Sequence, residues 1–91
     1  MYKRQTTIVN PTGLHARPAS DFVSTAKKFS SKISITDLNA SNQPVNAKSI
    51  LILLSLGLGQ GTAIEISADG TDETEAVDSL VALIETGFGE L

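Results

Sequence analysis

The sequence QTTIVNPTGLHARPASDFVSTAKKF, residues 5–29, joins a strand pattern to a helix pattern through one short loop. The β-branched residues in 5–9 stop at Asn10-Pro11-Thr12-Gly13, which predicts a strand that runs into a loop. Pro18 suits the first turn of a helix, because its missing N–H would have no partner there in any case. Apolar residues then recur at helical spacing and predict one buried stripe, with the helix ending near residues 30–31: Ala19, Phe22, Val23, Ala26 and Phe29.

Two further segments alternate apolar and polar residues with period two, as half-buried strands do. They are residues 33–36 and 64–68, and between them lie a predicted turn over 39–44 and a short strand at 45–46. The polar members of the alternation predict that one face of the sheet is solvated: Ser34, Thr36, Glu65 and Ser67.

The last part of the chain predicts a second long amphipathic helix with the apolar stripe Val77, Leu80, Val81 and Ile84. Asp72 and Glu75 are suited to form a capping pair at its start, and Gly87 is suited to terminate it. The predicted order is strand, helix, two strands, short helix, strand and helix. This order favours an α+β fold in which helices cover one face of an antiparallel sheet.

Length and composition restrict the chemistry of the chain. A length of 91 residues predicts one domain, spanning 1–91, and the 41% apolar content is enough for a compact core. The absence of cysteine excludes disulfides and thiolate metal sites. One histidine and a net charge of −3 argue against a metal site and against direct nucleic-acid binding. The imidazole of His15 is left to carry most of the plausible chemistry.

Charge is distributed unevenly along the chain. Residues 1–48 hold seven bases and two acids, a sum of +5, whereas residues 49–91 hold eight acids and no base, a sum of −8. The asymmetry indicates a basic face for an acidic or phosphorylated partner, or simply a solvated acidic helix at the end. No apolar run has the length of a signal peptide or a membrane span, so we expect a cytoplasmic protein without membrane insertion.

The single histidine, His15, stands where the first helix is predicted to start. The free backbone N–H groups of a helix start favour a bound phosphate, and Arg17 would add bidentate contacts to such an anion. A neutral imidazole nitrogen could therefore accept a phosphoryl group, which the helix amides and Arg17 would hold. A surface histidine without function is the alternative from spacing alone.

Residues 50–56, ILILLSL, are apolar on nearly every side. A short surface helix cannot bury its whole circumference, and an exposed apolar patch usually marks a protein-binding site. A buried strand is the alternative. If Ile52, Leu53 and Leu56 face the sheet, the patch comprises Ile50, Leu51 and Leu54.

Ser49 precedes this apolar run and suits the N-cap of a short helix. A phosphate on Ser49 would be compatible with the fold, since a helix N-terminus favours a dianion. The added charge beside the apolar patch could repel an acidic partner. Ser49 is therefore a candidate regulatory site.

Two motifs resemble the signatures of one protein family. Residues 13–19, GLHARPA, are similar to the active-site motif of HPr, the histidine-containing phosphocarrier family of the bacterial phosphoenolpyruvate-dependent sugar phosphotransferase system. Residues 45–50, VNAKSI, and 54–57, LSLG, are similar to its second signature, around a regulatory serine. The similarity extends over essentially the whole chain.

The resemblance implies an open-faced β-sandwich of βαββαβα order, with a four-stranded antiparallel sheet and three helices on one face. It implies that His15 takes a phosphoryl group on Nδ1 from enzyme I and passes it to the A-type components of enzyme II, with Arg17 contacting the phosphate. Ser49 matches the serine that HPr kinase/phosphorylase modifies in carbon catabolite repression, where the modified form binds the catabolite control protein. Such a chain is a carrier and not an enzyme, and needs no cofactor.

The resemblance also implies a docking surface that several protein partners share. Ile50, Leu51 and Leu54 match positions of that surface. On the first helix, the matching positions at or near its other edge are Ser20, Phe22, Ser24 and Lys27. We expect a monomer.

Two features depart from the family pattern. Ile52 stands where the short-helix motif commonly has a glycine, and residues 37–43 form a longer turn than is usual. Neither departure touches His15 or Arg17.

Three other functions are weighed against the carrier. A purely regulatory module acting through Ser49 is disfavoured by the presence of His15. A nitrogen-related phosphotransferase carrier is disfavoured by the Lys48-Ser49-Ile50 context. A small α+β hydrolase is disfavoured because no general base accompanies the histidine.

Overall fold

Four strands form one antiparallel sheet, and three helices pack on one of its faces, in the predicted order. The structure is a computed structural model that describes residues 1–40 and 43–90. Its elements are β1 (Tyr2–Thr7), α1 (Ala16–Ala26), β2 (Lys32–Asp37), β3 (Pro44–Asn46), α2 (Ile50–Ser55), β4 (Ala63–Asp69) and α3 (Glu73–Glu85), with a 3-10 turn at Gly87–Gly89. The strands lie side by side in the order β1-β4-β2-β3.

The core lies between the sheet and the helices. Ile35 of β2 stands opposite Ile66 of β4, and both side chains are fully buried. The predicted stripe of α3 is confirmed, and that of α1 is confirmed except for Phe29, which is half-buried beyond the end of the helix. The buried members of the two stripes are Ala19, Phe22, Val23, Ala26, Val77, Leu80, Val81 and Ile84. Burial of a large aliphatic side chain of this kind contributes about 1.5–3 kcal/mol relative to leaving it exposed.

The opposite face of the sheet is more open, with one exception. Ser34, Glu65 and Ser67 are half-buried, but Thr36 is buried at 7% exposure. The expectation that Thr36 is solvated is therefore wrong. Its strand lies inside the sheet, and Pro44 of β3 and Glu65 of β4 stand on either side of Thr36 and shield it.

The first helix is shorter than its apolar spacing predicts. It ends at Ala26, and the chain turns so that the backbone N–H groups of Ser30 and Ser31 donate to the Asp72 carboxylate at 2.9 and 3.0 Å. The same carboxylate accepts a hydrogen bond from the Ser31 hydroxyl. Because its carboxylate makes these bonds, Asp72 does not cap α3 with its side chain, and the predicted capping pair with Glu75 is wrong.

The acidic last helix is not simply solvated, because two of its acids bind β1. The Asp78 carboxylate accepts from the Tyr2 hydroxyl at 2.9 Å and forms an ion pair with Arg4 at 3.1 Å. The Glu85 carboxylate accepts from the Thr6 hydroxyl at 3.1 Å. The acidic half of the chain is therefore joined to the basic half within the fold.

The longer turn predicted over 37–43 includes residues 41–42, which lie outside the described residues.

Within 1–40 and 43–90, no helix has both the length and the apolar character needed to cross a bilayer.

Candidate functional site

His15 lies at the N-cap position of α1, with its side chain exposed. Its backbone is extended, with φ −124° and ψ 159°, and the imidazole makes no capping hydrogen bond. The first N–H groups of a helix have no intrahelical partner, so they remain available beside the imidazole. The predicted position of His15 at a helix start is confirmed.

The residue after His15 has an unusual backbone. Ala16 has φ +48°, a left-handed conformation that side-chain-bearing residues seldom adopt. Such a conformation costs roughly 1–3 kcal/mol and tends to occur where function or surrounding structure imposes it. Pro18, in the first turn of α1 as predicted, fixes the backbone two residues later.

Arg17 is exposed in the first turn of α1, two residues from His15. The salt bridges of the described residues join the N-terminal amine to Glu73 and Arg4 to Asp78, so in this part of the chain Arg17 has no acidic partner. A free guanidinium at the start of a helix is well placed for an anion.

The loop before His15 is packed closely against the segment between α2 and β4. Gly13 has φ +67°, and a Cβ added there would collide with the carbonyl oxygen of Leu58 and lie 2.7 Å from the Cα of Gly59. The Leu14 N–H donates to the Leu58 carbonyl at 2.8 Å, and the Leu14 side chain is fully buried. The backbone that leads into His15 is therefore fixed by its neighbours.

A carboxylate that belongs to none of the predicted site residues lies beside this loop. The Glu90 carboxylate accepts a hydrogen bond from the Asn10 side-chain amide at 3.1 Å and from the Thr12 hydroxyl at 2.8 Å. These bonds span 80 and 78 positions of sequence, and no local pattern signals them. They lower the pKa of Glu90, with the Asn10 amide as the largest cause and the Thr12 hydroxyl next.

Ser49 is half-buried at the N-cap of α2, as predicted. Its hydroxyl oxygen accepts a hydrogen bond from the Ile52 N–H at 3.3 Å. The ammonium group of the preceding Lys48 donates to the Phe29 carbonyl oxygen at 2.7 Å, which joins this corner to the turn after α1. The segment 50–55 is a helix, and the buried-strand alternative is wrong.

The apolar side chains of α2 form an exposed patch. Leu51 is 78% exposed, and Ile50, Ile52 and Leu54 are 37%, 38% and 39% exposed. The expectation that Ile52 faces the sheet is therefore wrong. In a six-residue helix the buried side is anchored by Leu53 alone, and Ile52 lies on the flank of that anchor.

The docking residues predicted on α1 divide into two groups. Ser20, Ser24 and Lys27 are exposed, and together with Ile50 they line a shallow groove between α1 and α2. Phe22 is fully buried in the core, so it cannot contact a partner, and its assignment to the surface is wrong. Its position in the apolar stripe of α1 explains the burial.

Among the described residues, no group of three or more histidine, cysteine or acidic side chains is arranged to hold a metal ion. The chemistry available at the start of α1 is that of an exposed imidazole, free helix amides and one guanidinium.

Comparisons with known proteins agree with this geometry. The family described as the PTS HPr component phosphorylation site matches residues 2–86. The phosphocarrier protein HPr of Haemophilus influenzae is 49% identical over 86 residues, which cover 94% of this chain and 98% of that protein.

Solved structures share the fold over nearly all of their length. HPr-C-His from Thermoanaerobacter tengcongensis is 52% identical, with a TM-score of 0.93 and coverage of 100% of this chain and 99% of that one. Crh, a catabolite repression protein of Bacillus subtilis described as a domain-swapped dimer, is 37% identical, with a TM-score of 0.72 and coverage of 96% and 97%. The sheet order, the exposed histidine at a helix start and these relatives together show that the chain belongs to the PTS HPr family of phosphocarrier proteins.

Proposed function

We propose that this phosphocarrier holds its phosphoryl group on Nδ1 of His15, receives it from phosphorylated enzyme I and passes it to the A-type components of enzyme II. The observation that carries the proposal is the His15 imidazole at the start of α1, which is exposed and makes no capping hydrogen bond. In the first transfer a bond forms between phosphorus and Nδ1 of His15 as the bond from phosphorus to enzyme I breaks. In the second transfer the bond between phosphorus and Nδ1 breaks as phosphorus bonds to the A-type component. The protein needs no cofactor for this exchange.

The surroundings of His15 suit a reversible carrier. The free N–H groups at the start of α1 and the Arg17 guanidinium can share the charge of a phosphoryl dianion. Ala16 and Arg17 are exposed residues, so a phosphate bound there would remain accessible to the next acceptor. A phosphocarrier benefits from this balance, because a phosphate held too tightly would not be passed on.

We assign the docking surface to both sides of the groove between α1 and α2. Ile50, Leu51 and Leu54 supply apolar contacts, and Ser20, Ser24 and Lys27 supply a polar and basic edge. Exposed Ile52 enlarges the apolar side. An apolar centre with a polar rim is the usual composition of a protein interface.

Ser49 is a second candidate site, for regulatory phosphorylation by HPr kinase/phosphorylase. Its support is the N-cap position beside the exposed patch on α2. A phosphate there would add about two negative charges next to the docking surface without removing a buried contact. We expect it to weaken binding to an acidic partner, and to create a surface for the catabolite control protein.

The proposed transfer is tested by reconstitution. Enzyme I, phosphoenolpyruvate and an A-type component of enzyme II are mixed with this protein, and phosphate on the A-type component is measured. We expect transfer with the unaltered chain and with Ser49→Ala, and none with His15→Ala. Transfer through the His15→Ala variant would contradict the proposal.

A further inference from the structure

The segment after α3 has an unusual backbone. Gly87, Phe88 and Gly89 all have positive φ, at 70°, 54° and 78°. Among the described residues, Phe88 and Ala16 are the non-glycine residues with this conformation. A strained residue persists where its surroundings hold it, and Phe88 packs against the core. We call residues 87–90 the hook.

The hook places the Glu90 carboxylate against the loop before His15. One carboxylate oxygen accepts from the Asn10 amide at 3.1 Å, from the Thr12 hydroxyl at 2.9 Å and from the Thr12 N–H at 3.4 Å. The other oxygen accepts from the Thr12 hydroxyl at 2.8 Å. Hydrogen bonds from Asn10 and Thr12 lower the pKa of Glu90, so the loop binds the charged form.

Asn10 connects Glu90 to the backbone just before His15. Its side chain is fully buried, and its amide nitrogen donates to the Gly13 carbonyl oxygen at 2.9 Å as well as to Glu90. Within residues 1–40 and 43–90, the Asn10 amide oxygen is buried and has no hydrogen-bond partner. The hydrogen bonds of this side chain are therefore made by its amide nitrogen, and Glu90 accepts one of them.

The loop is therefore held from two sides. On one side the Leu14 N–H donates to the backbone of Leu58 at 2.8 Å, and Gly13 packs against Leu58 and Gly59. On the other side it is held by the side chain of Glu90.

We propose that Glu90 is a positioning residue for phosphoryl transfer, because it fixes through Asn10 and Thr12 the loop that presents His15. The proposal rests on the role proposed above for His15. Glu90 acts through the loop and does not itself touch the phosphoryl group.

Matched variants separate this role from general stability. Glu90→Ala removes the carboxylate, and Glu90→Gln keeps one acceptor oxygen without the charge. Glu85→Ala is the control, since Glu85 also accepts from a threonine hydroxyl, that of Thr6, but on β1. With enzyme I as donor, we expect Glu90→Ala to lower kcat about tenfold with KM unchanged, because misplaced reacting groups lose rate. Glu90→Gln should lie between, and Glu85→Ala should leave both constants unchanged.

A double-mutant cycle tests the route of the effect. Thr12→Val removes the hydroxyl that donates to Glu90, so the effects of Thr12→Val and Glu90→Ala on kcat should overlap and not multiply. Effects that multiply in full would overturn the route through Thr12.

Amide hydrogen exchange at Leu14 gives a readout that does not need enzyme I. We expect faster exchange in Glu90→Ala than in Glu85→Ala, because the loop is held less firmly. If kcat is unchanged in both Glu90 variants, the proposal is wrong, whatever the exchange rate. If Glu90→Ala does not fold, Glu90→Gln carries the test. If the unaltered chain accepts no phosphoryl group, the function proposed for His15 fails, whereas Leu14 exchange still reports whether Glu90 holds the loop.

Discussion

The backbone N–H of Leu14 donates a 2.8 Å hydrogen bond to the carbonyl oxygen of Leu58, which joins the loop before His15 to the segment after α2. The two residues are far apart in sequence, so the site histidine is placed by tertiary contacts as well as by its own helix. Gly13 lies in the same contact, and a Cβ added to it would point at the backbone of Leu58 and Gly59.

Gly13→Ala tests this contact. A left-handed non-glycine residue costs roughly 1–2 kcal/mol, and the new Cβ would also collide with the Leu58 carbonyl oxygen. We expect a lower free energy of unfolding, measured with urea, and slower phosphorylation of His15. Gly57→Ala is the control, because Gly57 has φ +63° but nothing within 4 Å of an added Cβ. Equal destabilisation by the two variants would contradict the contact argument.

Substitutions of Leu51 and Leu53 test whether α2 has one side for docking and one side packed on the core. Leu51 is 78% exposed and Leu53 is fully buried. Leu53→Ala should reduce the free energy of unfolding by about 2–5 kcal/mol, because it leaves a cavity. Leu51→Ala should change stability by less than about 0.5 kcal/mol but raise the KM for enzyme I. An unchanged KM in Leu51→Ala would remove this residue from the docking surface.

Ser49→Asp tests the regulatory proposal. Aspartate can still accept a hydrogen bond at the N-cap, while its charge lies next to the exposed patch. We expect slower phosphorylation of His15 by enzyme I. Ser49→Ala separates charge from capping: it should cost about 1 kcal/mol of stability and leave the rate unchanged. An unaltered rate in Ser49→Asp would exclude electrostatic repulsion at this site.

The lowered pKa of Asp72 predicts that the protein loses stability at low pH. Its carboxylate accepts hydrogen bonds from the Ser31 hydroxyl and from the Ser30 and Ser31 N–H groups, with the Ser31 hydroxyl as the largest cause, and these lower its pKa from 3.8 to about 2. Because the folded state has the lower pKa, this stabilisation is fully present above pH 3.8 and is lost as the pH falls through about 2.

The measurement is the urea midpoint between pH 2 and pH 6 for the unaltered chain and for Asp72→Asn. We expect Asp72→Asn to be less stable at pH 6 and to lose less on acidification. Asp69→Asn, an exposed change on β4, is the control. Parallel pH profiles for Asp72→Asn and the unaltered chain would contradict the assignment.

Local patterns predict the elements of this fold well. The alternation at 33–36 and 64–68 indicates β2 and β4, and helical spacing indicates the buried stripes of α1 and α3. These patterns succeed because one face of each element packs on the core. Pro18 and the apolar residues that follow it predict the helix start after His15, and α1 begins at Ala16.

Contacts between distant segments could not be predicted in this way. Apolar spacing continues to Phe29, but α1 ends at Ala26, and Asp72 binds the turn from 41 positions away. Glu90 likewise reaches Asn10 across 80 positions. The resemblance places Phe22 at the docking surface, whereas its place in the apolar stripe of α1 indicates burial, and its side chain is fully buried.

The most direct test of the account is to locate the phosphoryl group after reaction with enzyme I and phosphoenolpyruvate. Intact mass and nitrogen-15 spectra of the imidazole would be recorded before and after mild acid treatment. We predict one acid-labile phosphoryl group on Nδ1 of His15, present in Ser49→Ala and absent in His15→Ala. An acid-stable phosphate, a phosphate on another residue, or no gain in mass with an active enzyme I would contradict the account.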